Sequence, residues 1–277
     1  STMYTGYLRN MGVKAAVVMP LITNDRVWGV ISCLHHDEPH YLSYERRVPL
    51  EFLAQSMSLL IRDREELEYH EYRERLDRVL DGLMQRMTHC EDISPALLGA
   101  SPNLLSELSA DGVALLYGGQ ISVLGMTPDS AGVQHIADWL SVNNAPIFST
   151  HRLWQECPTA LALGKTVCGI LSIRLSQTRP DRIIWFRREA PRDIYWAGNP
   201  EKPVEMDPHH GEVKLLPRTS FARWKQTVKG ESMVWQDCET DYALRLQHAI
   251  FSIIVERTIR LERLNSELLA NMAEKLR

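Results

Sequence analysis

The chain has 277 residues, 44% of them hydrophobic and 24% charged, which suits two ordinary cores and excludes a disordered or fibrous protein. Its net charge is -4, with basic residues dispersed along acidic segments, so it lacks the basic patch of a nucleic-acid binder. No apolar run approaches the roughly 20 residues that cross a membrane. Five scattered cysteines, odd in number and without a C-x-x-C, argue against a disulfide framework or a structural zinc site and point to a cytoplasmic location.

The first residues, "STMYTGYLRN", lack both an initiator methionine and a basic-then-apolar leader, and read as part of a longer chain. Residues 13–34 then show two β-rich runs around "TNDR", an antiparallel hairpin. Two strands and a helix cannot close a core, so this is expected to be half a domain completed by upstream residues. A helical pattern follows from Pro49 to Met87, with "RDREELEYHEYRERLDR" polar nearly all round in its middle. A polar helix of that length is expected as a connector between domains or as one partner of a helix pair.

Further on, "ADGVALLYGGQISVLGMTP" predicts two strands across a Gly-Gly turn. A helix is expected from Asp129 to about Val142, and strands near "PIFST", at "TVCGILSIRLS" and at "DRIIWFRRE", the last suited to the centre of an antiparallel sheet. Strands and helices mixed without βαβ repetition predict an α+β fold. Residues 190–230 are rich in proline and form an excursion of the kind that is usually functional. Within it "PRTSFARWKQTV" satisfies two periods: Phe221, Trp224 and Val228 make a helical stripe, while alternation also allows a strand. From Glu239 one long helix is expected. Ile254, Leu261 and Leu268 repeat every seven residues, with Ile250 and Leu264 in the companion seam. Such a helix serves either as a parallel coiled coil in a homodimer or as packing on its own domain, and Arg257 and Asn271 interrupt the seam.

Taken in order, "YLRNMGVKA", "VWGVISCLHH", "ADGVALLYGGQISVLGMTP", "WAGNP" and "PRTSFARWKQTVKGESMVW" resemble the phytochromes over essentially the whole chain. The resemblance implies a GAF-type antiparallel sheet with flanking helices. The C-terminal part of a bilin-binding GAF domain would occupy residues 1–48, a connecting helix 49–88, a PHY domain 89–238 with a tongue at about 190–230, and an output and dimerisation helix 239–277. It further implies a photosensory role with a biliverdin-type bilin, an upstream PAS/GAF region of the same parent chain, and an output domain such as a histidine kinase. In the family the tongue changes between sheet and helix. Arg218 matches the tongue arginine that pairs with an upstream aspartate, within a switch region comprising Trp196, Gly198, Pro217, Arg218, Ser220, Phe221 and Trp224. A guanidinium is a planar fork suited to one buried carboxylate, although an exposed loop arginine fits the residues as well.

The chromophore-pocket positions implied are Tyr4, Tyr7, Ala16, Val18, Leu34 and His35, and several depart from the family. Tyr4 replaces a bilin-contacting histidine, Met3 a cysteine, and Ala16 and Val18 the hydroxyl residues that bind a propionate. Counting without a gap puts Leu34 in the pocket, whereas one inserted residue puts His35 there. A buried propionate without donors costs several kcal/mol, so weak or absent bilin binding is expected. The alternative function is a light-insensitive dimerisation scaffold, redox-responsive through thiols such as Cys33 or Cys90. Asp207, His209 and His210 in "DPHHG" lack the i, i+4 spacing of a helical metal site, no phosphate-binding loop is present, and no catalytic constellation appears, so the chain is not expected to be an enzyme by itself.

Overall fold

The computed structural model describes residues 2–90, 92–143, 145–159, 167–176, 179–197, 204–206, 213–215 and 223–275. Helix α1 (Thr2–Asn10) precedes strands β1 (Ala15–Thr23) and β2 (Arg26–His35). Their turn holds Asn24 and Asp25 at φ of 50° and 59°, the paired left-handed conformation that a two-residue hairpin turn demands and that these residue types tolerate. Helix α2 spans Tyr44–His89, so it begins earlier than the predicted Pro49. Pro49 withdraws one amide donor inside the helix, and the Ser43 carbonyl accepts the Arg46 and Arg47 amides at its start.

After α3 (Ile93–Leu98) come β3 (Gly112–Tyr117), β4 (Gln120–Gly125), α4 (Ser130–Asn143), β5 (Ile147–Thr150), α5 (Leu153–Glu156), β6 (Gly169–Arg174) and β7 (Arg182–Arg187). Four short strands follow: β8 (Arg192–Ala197), β9 (Val204–Met206), β10 (Val213–Leu215) and β11 (Arg223–Val228). Helix α6 (Asp237–Lys275) ends the described chain. The architecture is α+β, antiparallel throughout, and it divides into two units, residues 1–70 with 192–228 and residues 71–191 with 229–277.

The first unit contains the β1–β2 hairpin packed on the start of α2, where Met19, Leu21 and Ala54 are buried among Val17, Ile31, Leu50 and Ile61. It also contains the two-stranded ladders β8–β11 and β9–β10. The second unit is built on a five-stranded sheet of order β4-β3-β7-β6-β5. Its central strands read as unbroken apolar runs because both faces are covered. On one face Ala114, Leu116, Ile170, Ile184 and Phe186 pack against Val133, Ile136, Ala137 and Leu140 of α4. On the other, Val113, Leu115, Leu171, Ile173, Ile183 and Trp185 are equally buried, and α6 packs on β6 and β5. Leu76, Leu83 and Met87 of α2 are buried too, as are Tyr242, Leu246 and Ile250 of α6. The seam predicted along α6 is therefore corrected at Ile250, which is spent inside its own domain, whereas Leu261 and Leu264 are exposed.

Three elements of the second unit meet at one buried ion pair. Arg187, the last residue of β7, donates to Glu239 of α6 at 2.5 Å, with side-chain exposures of 5% and 0%. Tyr72 of α2 donates to the same carboxylate oxygen at 2.7 Å, and the Gln236 amide donates to the other at 2.8 Å. Glu239 thus caps the helix it belongs to from its third position, where the helix dipole also favours an anion. The Arg187 guanidinium stacks 3.6 Å from the Trp235 ring centroid. Farther along, Arg257 of α6 donates to the carbonyls of Met87 and Cys90 at the end of α2, an end that leaves its last carbonyls without helical partners.

Two outcomes follow from this packing. Phe186→Ala should lower unfolding stability by about 3–5 kcal/mol in urea titration, because Phe186 is fully buried and a cavity would remain. Burial pushes the Tyr72 hydroxyl up from 10.0 to about 12. A group held protonated by the fold stabilises it fully below the ordinary value and loses that contribution as pH rises toward the raised one. Melting temperature should therefore fall between pH 10 and about 12, and Tyr72→Phe should remove part of the fall.

Candidate functional site

The hairpin register orders the pocket positions. Ala16 lies opposite Leu34 and Val18 opposite Ser32, so Ala16, Val18 and Leu34 share one face of the hairpin. Pairing runs without a slip from Ala15 to Leu21, the single irregularity falling between Leu21 and Ile22. His35 pairs with Ala15 and belongs to the other face, its ring 5.8 Å from that of His40. Ala16, Leu34 and His35 nevertheless all border a cavity of about 270 Å³, with Cys33, His40 and Leu42. Val18 instead lines a groove of about 520 Å³ with Ala54, Ser58 and Arg62 of α2. Tyr4 and Tyr7 are on α1, Tyr4 exposed and Tyr7 half-buried. The side chains of Ala16, Val18 and Leu34 carry no hydrogen-bond donor, which leaves the Ser32 hydroxyl, opposite Val18, as the donor at these paired positions.

Residues 192–197 and 223–228 form a second hairpin ladder. The segment that satisfied two periods is a strand over Arg223–Val228, with Trp196 directly opposite Trp224. Its stabilising contacts are cross-strand and polar. Trp196 donates from its indole to Gln226 at 3.0 Å, and the Asp193 carboxylate receives Lys225 at 2.9 Å and Thr227 at 2.8 Å. The Lys225 hydrogen bond, followed by that of Thr227, holds the Asp193 carboxyl below its ordinary value. On the same face the Arg223 guanidinium lies 3.8 Å from the Tyr195 ring centroid. Nearly every described side chain of this ladder is exposed, so solvent screens these pairs and each contributes little. A two-stranded hairpin of this kind is marginal in water. Gly198, Pro217, Arg218, Ser220 and Phe221 lie outside the described residues, as do Asp207, His209 and His210.

The root of this arm is fastened on the second unit. The Ala190 amide donates to Glu231 at 2.8 Å, the Gly230 amide to the Glu189 carboxylate at 2.5 Å, and the Ser232 amide to His151 at 3.0 Å. Gly230 has φ of 80°, and a Cβ there would lie 2.8 Å from the Trp154 indole nitrogen, so this turn excludes a side chain. Arg187 also donates to the carbonyls of Ser109 at 2.5 Å, Met233 at 3.3 Å and Val234 at 2.9 Å. Sequence reasoning passed over Arg187, Glu239 and Tyr72. The one available signal was Glu239 three residues after Gln236, a capping spacing weakened by glutamine in place of serine or threonine.

Among the described residues no group of histidine, cysteine or carboxylate side chains could hold a metal ion, and no helix is long and apolar enough to cross a membrane. The five cysteines form no disulfide, Cys33 and Cys90 being exposed and the others buried.

Comparison with known proteins matches residues 76–259 to the phytochrome region family and residues 3–61 to the GAF domain. Cyanobacterial phytochrome B of Nostoc sp. is 35% identical over 269 residues, covering 97% of this chain and 36% of its own length. This chain thus spans about a third of the length of such curated relatives. Among solved structures, the crystal structure of a bacteriophytochrome from the photosynthetic bacterium R. palustris superposes with a TM-score of 0.73 at 29% identity, covering 93% of this chain and 51% of that one. The Stigmatella aurantiaca phytochrome photosensory core module, wild type, gives 0.67 at 32% identity, covering 92% and 51%. With its family match over more than half its length and its fold shared with these sensory modules, the chain belongs to the phytochromes.

Proposed function

We propose that the chain is the sensory and signal-transmitting section of a phytochrome-type red/far-red photoreceptor, relaying a change at the bilin pocket through the arm β8–β11 to α6 and an output domain such as a histidine kinase. In this reading residues 1–48 are the end of the bilin-binding GAF domain, 49–88 the connecting helix, 89–238 the PHY domain and 239–277 the output helix. The observation that carries it is the arm itself, a solvent-exposed ladder held by weak polar pairs, whose flanking residues 189–190 and 230–232 are hydrogen-bonded to one another and to His151. An element so lightly stabilised can exchange extended for helical backbone at low cost, as a two-state switch requires. Trp196 and Trp224 are the apolar contacts that exchange, and Gly198, Pro217, Arg218, Ser220 and Phe221 complete the switch region, Arg218 taking a carboxylate of the upstream region. The chain acts as a homodimer paired in parallel through exposed residues of α6, among them Leu261 and Leu264. It is not itself an enzyme, and its location is cytoplasmic.

The pocket wall within this chain does not fit the polar end of a biliverdin-type bilin. Ala16, Val18 and Leu34 supply no donor and leave Ser32 alone among the paired positions of their face to meet a carboxylate, and an under-satisfied buried propionate costs several kcal/mol. The same face favours a second reading, a light-insensitive and redox-responsive scaffold in which the arm and helices hold the output domain in one state.

The test is to co-express the full-length parent with a heme oxygenase and to record absorbance and red-light difference infrared spectra in the amide I region. A weak red band with light-driven loss of strand signal is expected. An intense photoconverting band overturns the degraded pocket. Absence of both the band and any light-driven amide change overturns the relay in favour of the scaffold. Introducing donors by Ala16→Ser with Val18→Thr should strengthen the red band at least several-fold, as measured by titration of the parent with biliverdin.

A further inference from the structure

The chain leaves the second unit after Pro191 and re-enters it at Lys229, and the segment that follows the re-entry meets a single cation. Arg187 closes β7 just before the outgoing strand. Its guanidinium holds the carbonyls of Met233 and Val234, in the irregular segment between β11 and α6, and the carboxylate of Glu239 in the first turn of α6. The planar fork allows these contacts to be made together, which a lysine could not do. Trp235, stacked on the guanidinium, donates its indole proton to the Thr150 carbonyl at 3.3 Å, so the segment leading into α6 is also tied to β5. Beside the group lies a cavity of about 390 Å³, bordered by Asp111, Arg187, Arg188, Glu189, Met233 and Gln236. Space here allows the segment leading into α6 to shift without overpacking.

We infer that Arg187, Glu239 and Tyr72 form a coupling joint that makes the first turn of α6 and the root of the arm open and close together. This deepens the relay reading and rests on it for its biological purpose, but the linkage belongs to these contacts alone. A displacement of the root pulls Met233 and Val234 from the guanidinium, which changes the hold of the guanidinium on Glu239 and frees the amide that Glu239 caps. By the reciprocity of coupling, loosening the cap loosens the root. Arg187, Glu239 and Tyr72 are positioning residues in this scheme. Glu239 is the centre of the joint because its carboxylate receives bonds from β7, α2 and its own helix start.

Hydrogen–deuterium exchange on the full-length parent kept in the dark tests the joint. In Glu239→Gln, amides 232–235 and 237–240 should both exchange at least tenfold faster, with β3 and β6 within twofold of the unsubstituted protein. In Glu189→Ala, which alters only the root, amides 237–240 should accelerate at least threefold. Acceleration confined to 237–240 in the first variant, or to the root in the second, makes Glu239 a helix cap and overturns the joint. Uniform acceleration throughout the sheet overturns it as well. If Glu239→Gln does not fold, Tyr72→Phe decides: about threefold acceleration in both segments supports the joint, and an unchanged root overturns it. The measurement needs neither bilin nor light, so a parent without red absorbance overturns only the relay reading and leaves the joint to be judged by its own result.

Discussion

The second unit depends on a cation almost wholly withdrawn from solvent. Arg187 ends a strand whose every residue is buried, and burial pulls its pKa below the ordinary value while Glu239 opposes the shift. An isolated guanidinium could not remain there. It stays because a carboxylate, three backbone carbonyls and an indole face surround it, and because Tyr72 and the Gln236 amide satisfy the carboxylate in turn. Removing one member of such a buried set typically costs about 3–5 kcal/mol, far more than any pair in the exposed ladder contributes. The molecule thus sets a rigid node against a soft arm, and the junction of strand, returning segment and helix lies where stiffness changes.

This contrast divides the labour of the chain. The central strands β3, β6 and β7 are buried on both faces and leave little room for repacking. The hairpin β1–β2 presents the opposite situation. It shares only a small core with α2 and exposes Val27, Trp28 and Val30. Trp28 donates to Glu65 of α2 at 2.8 Å, one of few polar ties between hairpin and helix among the described residues. In the middle of α2, pairs such as Arg64 with Glu68 at 2.8 Å support a stretch where apolar packing is sparse.

Much of the fold was legible in the chain because burial writes a period. "DRIIWFRRE" announced a central strand through its unbroken apolar run, and the α2 and α6 helices announced themselves through their spaced leucines. Legibility failed where burial is absent or its partner is remote. The segment Arg223–Val228 fitted two periods because its side chains are mostly exposed, leaving no buried face to decide between them. Leu34 and His35 were interchangeable by counting, and only an unbroken ladder assigns each to a face. Arg187 looked like an ordinary charged end to a strand, since its partner lies 52 residues away and the intervening arm hides their proximity. Ile250 was placed in an intermolecular seam because a heptad cannot distinguish a neighbouring sheet from a second helix.

Arg257, which appeared to spoil the heptad seam, gives α6 a second fixed point. Between Glu239 and Arg257 the helix makes five turns, about 27 Å at 1.5 Å per residue, gripped at one end by β7 and at the other by the tail of α2. A rod pinned twice cannot spin independently of its support. Its angular phase is passed unchanged to whatever follows, and one residue added beyond Arg257 would swing all later side chains by about 100° around the axis.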